Sequence, residues 1–447
     1  MPTTALPPGP AKRGIGRLEK LRHGLNFMLD PMGFVGGRFA RFGDTYFVGS
    51  DDQPGLFVFR HPDHLEQIFV HKAKAFEKKH SGFRMLSRVL GDGLLTTDGD
   101  VWRRQRRLLQ PAFSKARMRD YADAMVAETR AEVRGWADGE ERDVAESMMK
   151  MTLRIVCRTL FGHDAADEVE AVGDSMEALQ GSLLSLNLPI PAWLSPAERR
   201  LRRANRTLDA IIYKMVDTRT QGEPRPDLLQ RLIDARDEDG SSLGRREIRD
   251  QLVTLFLAGH ETTSNALAWT FYLLGQNPEA EAKLHAELDE VLGGEPPTYE
   301  DLPRLTYTLQ VFLEAMRLYP PVYLIGRLAV EDVQIGRWTV PAGSEVVMWV
   351  WHTHRDPRWF PEPWRFMPER FAPDAIKARP KGAYLPFGAG PRACIGKVFA
   401  QMEGQLALAT IASQVRLRPL PGHSVELQPR ITLSPAGGLP MHVERRR

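Results

Sequence analysis

The ten residues 387–396 read F-G-A-G-P-R-A-C-I-G, and the fold of the chain is decided by how they are read. They set Cys394 in a Gly- and Pro-rich loop directly before an apolar helical pattern of Ile395, Val398, Phe399, Met402 and Leu406. A cysteine at the mouth of a helix has its thiolate favoured by free backbone N–H groups and by the positive end of the helix dipole. The glycines and Pro391 let the backbone turn sharply and approach a flat ligand closely. Arg392, two residues before the cysteine, is suited to an acidic group on that ligand. Two readings stand: a buried cysteine in an ordinary turn, or sulfur presented to a metal. For a cysteine alone the first would be preferred; this arrangement favours the second.

At 447 residues the chain exceeds the single-core size of roughly 250–300 residues, so length alone predicts two or three domains. Yet there is no low-complexity linker and no internal repeat; the nearest to a linker is the short stretch 220–227, TQGEPRPD. A chain 43% hydrophobic and 26% charged belongs with soluble globular proteins. Net charge of +3 gives no reason to expect a nucleic-acid partner. Positive charge is nevertheless clustered at Arg103, Arg104, Arg106, Arg107, Lys115, Arg117 and Arg119, which is either a solvated helix face or a landing surface for an acidic protein. Two cysteines are too few for a disulfide-stapled secreted design, and Cys157, inside M-T-L-R-I-V-C-R-T-L-F, reads as a core residue. No apolar run reaches about 18 residues, so no membrane span is expected. The start, MPTTALPPGPAKRG, lacks the apolar core of a signal peptide, and the expected location is cytoplasmic.

Along the chain, residues 1–30 are expected to be irregular, with Pro7, Pro8 and Pro10 opposing an early helix. Strands are expected at 45–48 and 56–59, and residues 80–98 read as an irregular loop over a ligand. A helix from 100 to 109 carries Trp102 and Arg106, which are i and i+4 and share a face. Helical periodicity then dominates from 115 to 292. Its longest piece, 245–276, contains L-F-L-A-G-H-E-T-T-S-N-A-L-A-W and is apolar around much of its circumference, which predicts a buried helix. Polar residues in its middle (His260, Glu261, Thr262, Thr263) beside Gly259 break the rules of a core helix and mark a functional site. His260-Glu261 begins like the zinc-protease motif H-E-x-x-H, but residue 264 is serine, so that reading fails. A helix at 302–318 holds Glu314 and Arg317 at i and i+3; strands are expected at 322–327, 337–340 and 344–351; and 353–386 is irregular. A last helix at 395–413 and weak strands at 415–445 close the chain.

Four features occur in one order: W-x-x-x-R, A-G-x-E-T-T, E-x-x-R some eighty residues before the cysteine, and F-G-x-G-x-R-x-C-x-G. Together they resemble the cytochrome P450 family of haem-thiolate monooxygenases, over nearly the whole chain. The resemblance implies a mainly α fold with small β-sheets (α+β), one large triangular domain spanning 1–447, and a soluble, bacterial member. Cys394 would be the proximal ligand of the iron of haem b, its thiolate pushing electron density to the metal. Phe387 and Gly388 would shape the loop against the haem. Arg392, Trp102, Arg106 and Arg327 would hold the propionates, since guanidinium pairs bidentately with carboxylate and indole donates one N–H. Glu314 and Arg317 would form a buried triad with Arg370. Ala258 would line the pocket and Gly259 would leave room over the iron. Thr262 would bind oxygen or its waters, and Glu261 would deliver protons. This glutamate–threonine pair argues against a peroxygenase or an isomerase; the alternatives kept are such a haem-thiolate peroxygenase or isomerase, and a non-catalytic haem-binding sensor.

The resemblance further implies electrons from NAD(P)H through separate redox proteins. The expected donor is an acidic ferredoxin with its reductase, or a flavodoxin, docking on the arginine cluster. An apolar pocket implies a hydrophobic substrate of the fatty acid, terpenoid or steroid class. The protein is expected to act as a monomer.

Overall fold

The tetrapeptide Leu56–Phe59 (L-F-V-F) is apolar on both faces, as a strand covered on two sides must be. In the computed structural model of the chain it lies second in a five-stranded sheet, whose order is Thr45–Val48, Leu56–Phe59, Glu345–Met348, Ile325–Ala329, Phe76–Glu77. It pairs parallel to Glu345–Met348, while its pairing with Thr45–Val48 is antiparallel. The structure describes residues 6–10, 17–49, 54–162, 171–173, 175, 178, 195–225, 227–236, 240 and 242–446. These form two compact units of interleaved segments. One comprises Met1–Phe83, Arg317–Arg365 and Ala372–Cys394; the other comprises Arg84–Met316, Phe366–Phe371 and Ile395–Arg447.

The first unit is organised on the sheet. Phe47, Phe57, Phe59, Val346 and Met348 are buried in one cluster with Ile335 and Val340 of the Val333–Ile335/Trp338–Val340 hairpin. Two expectations for the early chain fail. The segment 1–30 is not irregular throughout, because Arg17–Leu29 is a helix. The prolines oppose helix only where they stand, and the next one, Pro31, is the first residue of the Pro31–Phe42 helix, capped by Asp30 accepting from the Gly33 N–H at 2.8 Å. Ser81–Leu90, read as part of a loop, is also a helix. Phe83, Leu86 and Leu90 have helical spacing there, which the flanking glycines obscure.

The second unit is organised on the Arg245–Gln276 helix, whose residues are buried on nearly every side. The Val144–Phe161 helix lies against it, with the Phe161 and Phe256 rings 4.7 Å apart. Trp269 donates its indole N–H to the Leu433 carbonyl at 3.0 Å, which fixes the Leu427–Pro429/Leu433–Pro435 hairpin to the same helix. A three-stranded sheet of Glu141–Asp143, Pro440–Arg445 and Val415–Pro419 completes the unit, and its first strand is not evident in the sequence.

The Thr306–Leu318 helix carries both residues of the E-x-x-R pattern, and both are fully buried. Glu314 accepts from the Met367 backbone N–H at 2.9 Å and lies 3.4 Å from the Arg370 guanidinium. Arg317 donates to the carbonyls of His354, Pro363 and Arg365 at 2.7–3.1 Å, fastening the irregular stretch that follows the sheet. Both side chains therefore hold backbone and do no chemistry. Removing one partner of a buried pair strands the other charge. Glu314→Ala is thus expected to cost about 3–5 kcal/mol, read as a lowered urea midpoint, with Glu314→Gln losing less. A midpoint unchanged in Glu314→Ala would refute the structural role.

Candidate active site

In the first unit, the cysteine loop is shaped by two left-handed glycines. Gly388 has φ +64° and Gly390 φ +67°. A Cβ on Gly390 would stand 1.8 Å from the Phe69 carbonyl oxygen, so this glycine lets the loop press on protein backbone rather than on a ligand. The loop closes with the Cys394 N–H donating to the Phe387 carbonyl at 2.9 Å. Cys394 is exposed and sits just ahead of the Lys397–Ala412 helix, whereas Cys157 is buried; neither forms a disulfide. The buried-cysteine reading of the loop is therefore excluded. Phe387, Gly388 and Arg392 are all part-exposed in the same loop. Arg327 lies on the Ile325–Ala329 strand, 6% exposed, with its guanidinium 5.3 Å from the Phe69 ring centroid and donating to the Gly326 carbonyl at 2.8 Å.

In the second unit, the Gly99–Leu109 helix brings Trp102 and Arg106 to one wall, as their i, i+4 spacing requires. They line a cavity of about 560 Å³ with Arg103, Arg107, Pro111 and Phe113. The basic cluster is not uniformly available. Arg104 is held at 2.9 Å by Glu247 of the long helix, and Arg117 lies 3.2 Å from Asp120. Arg103 and Arg119 pair with Asp100 and Glu300 yet remain 64% and 66% exposed.

Between Ile248 and Phe271 of the long helix the burial breaks at one place. Ala258 is exposed, and Gly259 and Thr262 are part-exposed, in a run otherwise closed on both sides. Ala258 and Thr262 are one turn apart and share a face, and the Thr262 hydroxyl donates to the Ala258 carbonyl at 2.8 Å. Gly259 has a packing reason within the protein as well. A Cβ there would meet Val156 Cγ2 at 2.9 Å, so the missing side chain admits the neighbouring helix.

Glu261 points away from that opening into the protein. It is 1% exposed, one oxygen accepts from the Thr432 hydroxyl, and the other has no hydrogen-bond partner among the described residues. Burial pushes its carboxyl up to about 7, against opposing pulls from Thr432 and Arg430. His260, fully buried, is lowered to about 4 by the same desolvation and bonds the Phe256 carbonyl through Nδ1. The zinc-ligand reading stays excluded.

Two features escaped the sequence reading. Glu403, on the Lys397–Ala412 helix, is fully buried, and burial drives its carboxyl well above the usual range against an opposing pull from Thr263. Its only signal was a lone glutamate in an apolar helix. The G-D-G stretch at 91–93 is the second. Cβ atoms on Gly91 and Gly93 would lie 2.3 Å and 2.1 Å from Asp250 and Thr254. The loop packs onto the long helix instead, where Asp250 accepts from the Asp92 N–H at 2.9 Å and Gln251 from the Leu94 N–H at 3.0 Å.

The exposed thiol and arginines of the first unit, and separately the indole N–H, the arginine and the interrupted helix face of the second, are residue types that suit a flat iron porphyrin bearing two carboxylates. Comparison with known proteins agrees. The Cytochrome P450 family profile matches residues 39–438. Cyclooctatin synthase of Streptomyces melanosporofaciens is 39% identical over 96% of this chain and 95% of its own. Cyclooctat-9-en-7-ol 5-monooxygenase of the same organism is 40% identical over 81% of this chain and 80% of its own. Pentalenene oxygenase of Streptomyces avermitilis is 35% identical over 92% of each. Among solved structures, retinoic acid bound cyanobacterial CYP120A1 superposes with a TM-score of 0.88 at 27% identity, covering 99% of this chain and 100% of that one. Among the described residues no helix is long and apolar enough to cross a membrane. The chain belongs to the cytochrome P450 family: it is a haem b-dependent, haem-thiolate monooxygenase that receives NAD(P)H electrons through redox partner proteins and oxidises a hydrophobic small molecule.

Proposed function

We propose that this monooxygenase oxidises a terpenoid. The observation that carries the reading is likeness across most of the chain to two proteins whose names give cyclooctat-9-en-7-ol and pentalenene as what they oxidise. Leu255, Ala258 and the methyl group of Thr262, on the long helix, offer apolar contact suited to such a skeleton. In this reading Cys394 Sγ ligates the haem iron and Arg392, Arg327, Trp102 and Arg106 bind the propionates. Phe387 and Gly388 keep the loop flat beside the ring, and Ala258 lines the distal side. Bound haem supplies the activation of dioxygen. Thr262 holds a proton at Oγ1, and Glu261, whose carboxyl titrates near 7, resupplies it.

Electrons are proposed to come from a ferredoxin or flavodoxin with an acidic face. The exposed Arg103, Arg107 and Lys115 support this surface. Arg104 leaves the set, because Glu247 already occupies it.

The reduced protein with carbon monoxide should show the red-shifted band of a thiolate ligand, and Cys394→His should abolish it. A wild-type spectrum without that band would sink the assignment. With pentalenene-like hydrocarbons as probes, Thr262→Ala should consume reductant while product falls by about a hundredfold, the low end of proton-transfer contributions. Fully coupled turnover in that variant would refute the role of Thr262. If hydrogen peroxide alone drives turnover at the full rate, the peroxygenase reading gains. Arg107→Glu should slow reduction by a ferredoxin about tenfold in low salt, the deficit fading as salt rises; equal rates in low salt would exclude this docking surface.

A further inference from the structure

Glu261 and Asn265 stand one turn apart on the long helix, and both reach the same hydroxyl, that of Thr432. This threonine is 4% exposed and occupies the turn between Leu427–Pro429 and Leu433–Pro435. Asn265 Nδ2 donates to Thr432 Oγ1 at 2.9 Å, and Thr432 Oγ1 donates to Glu261 Oε1. The directions follow from counting hydrogens. A hydroxyl has one hydrogen, and an ionised carboxylate has none to give. The amide turns its nitrogen, Nδ2, to the hydroxyl, and an amide N–H can only donate. The hydroxyl therefore accepts from Asn265 and has its single O–H left for Oε1. Glu261 Oε2 is buried and has no hydrogen-bond partner among the described residues.

We propose that Asn265 and Thr432 are positioning residues for the Glu261 proton: the amide aims the hydroxyl, the hydroxyl occupies Oε1, and the carboxyl can carry its exchangeable proton only at Oε2. The proposal rests on the reading of Glu261 as a proton source and adds where that proton sits and what holds it. The charged and titratable groups around Glu261 are few. Arg430, in the same hairpin, pulls its carboxyl down. His260 precedes it on the helix, is kept neutral by burial, and bonds Phe256 instead. Glu403, on the Lys397–Ala412 helix, has its carboxyl driven well above the usual range by burial and is turned to Thr263. With so little competing charge, loss of one donated hydrogen bond should be readable.

The test is an infrared pH titration of the haem-loaded enzyme, following the carbonyl stretch of the protonated acid, with Glu261→Gln identifying the band. The wild type should titrate with a midpoint near 7. Thr432→Val removes the donor at constant shape and should raise the midpoint by about one to two pH units, the usual worth of a hydrogen bond to a charged group. Thr432→Ser should bring it back. Asn265→Ala frees the hydroxyl without altering the hairpin and should also raise it, so the proposal remains open to refutation if Thr432→Val does not fold. A midpoint unmoved in Thr432→Val or in Asn265→Ala, or not restored by serine, overturns the proposal. Product yield per reductant in Glu261→Gln reads the catalytic role separately. Full coupling there, with the midpoint still shifted in Thr432→Val, would leave the clamp standing and remove the proton-source reading.

Discussion

A helix of 32 residues buried on almost every side governs the larger unit. Each polar side chain on it must find a partner inside the protein, because water is not there to supply one. Part of the demand is met locally. Thr254, Thr262, Thr263 and Thr270 each donate to the carbonyl four residues earlier. The remainder recruits distant chain. Asp250 and Gln251 capture backbone N–H groups of the 91–94 loop, and Glu261 and Asn265 capture Thr432 of the terminal hairpin. Segments separated by more than 150 residues are thereby held against one another by polar groups that a plain core helix would lack.

The same helix carries the proposed catalytic face at a gap in its burial. Between Ile248 and Phe271 its surroundings close over every turn but one, and at that turn the small side chain of Ala258 and the short one of Thr262 are left open. The adjacent glutamate faces the other way, into the interior, so the proposed oxygen-side group and the proposed proton store occupy different faces of one turn. Desolvation then raises the glutamate into the physiological range, where it can both hold and release a proton.

Much of the first unit follows from the need to place one cysteine. A five-stranded sheet with a phenylalanine-rich core supports the Ile325–Ala329 strand, and Phe69 contacts both Arg327 and Gly390. The loop that presents Cys394 is therefore set by packing against protein on its own side. That explains why two of its residues must be glycine even before any ligand is considered.

What the sequence by itself determined is the set of local patterns: the cysteine before a helix, the pair one turn apart at Trp102 and Arg106, the polar break in an apolar helix, and with them the family. These were legible because helical spacing and glycine chemistry act over a few residues. Only the tertiary structure decided the rest. Gly259 admits Val156, Arg104 is taken by Glu247, the G-D-G turn seats on Asp250 and Thr254, and Glu261 is tied to Thr432. Two early helices, Arg17–Leu29 and Ser81–Leu90, were hidden because nearby prolines and glycines looked like breakers for more chain than they affect. In each of the packing cases the partner is 100 or more residues away, and no local periodicity encodes which distant group will approach. Steric fit and the satisfaction of buried polar atoms settle that only once the chain has folded.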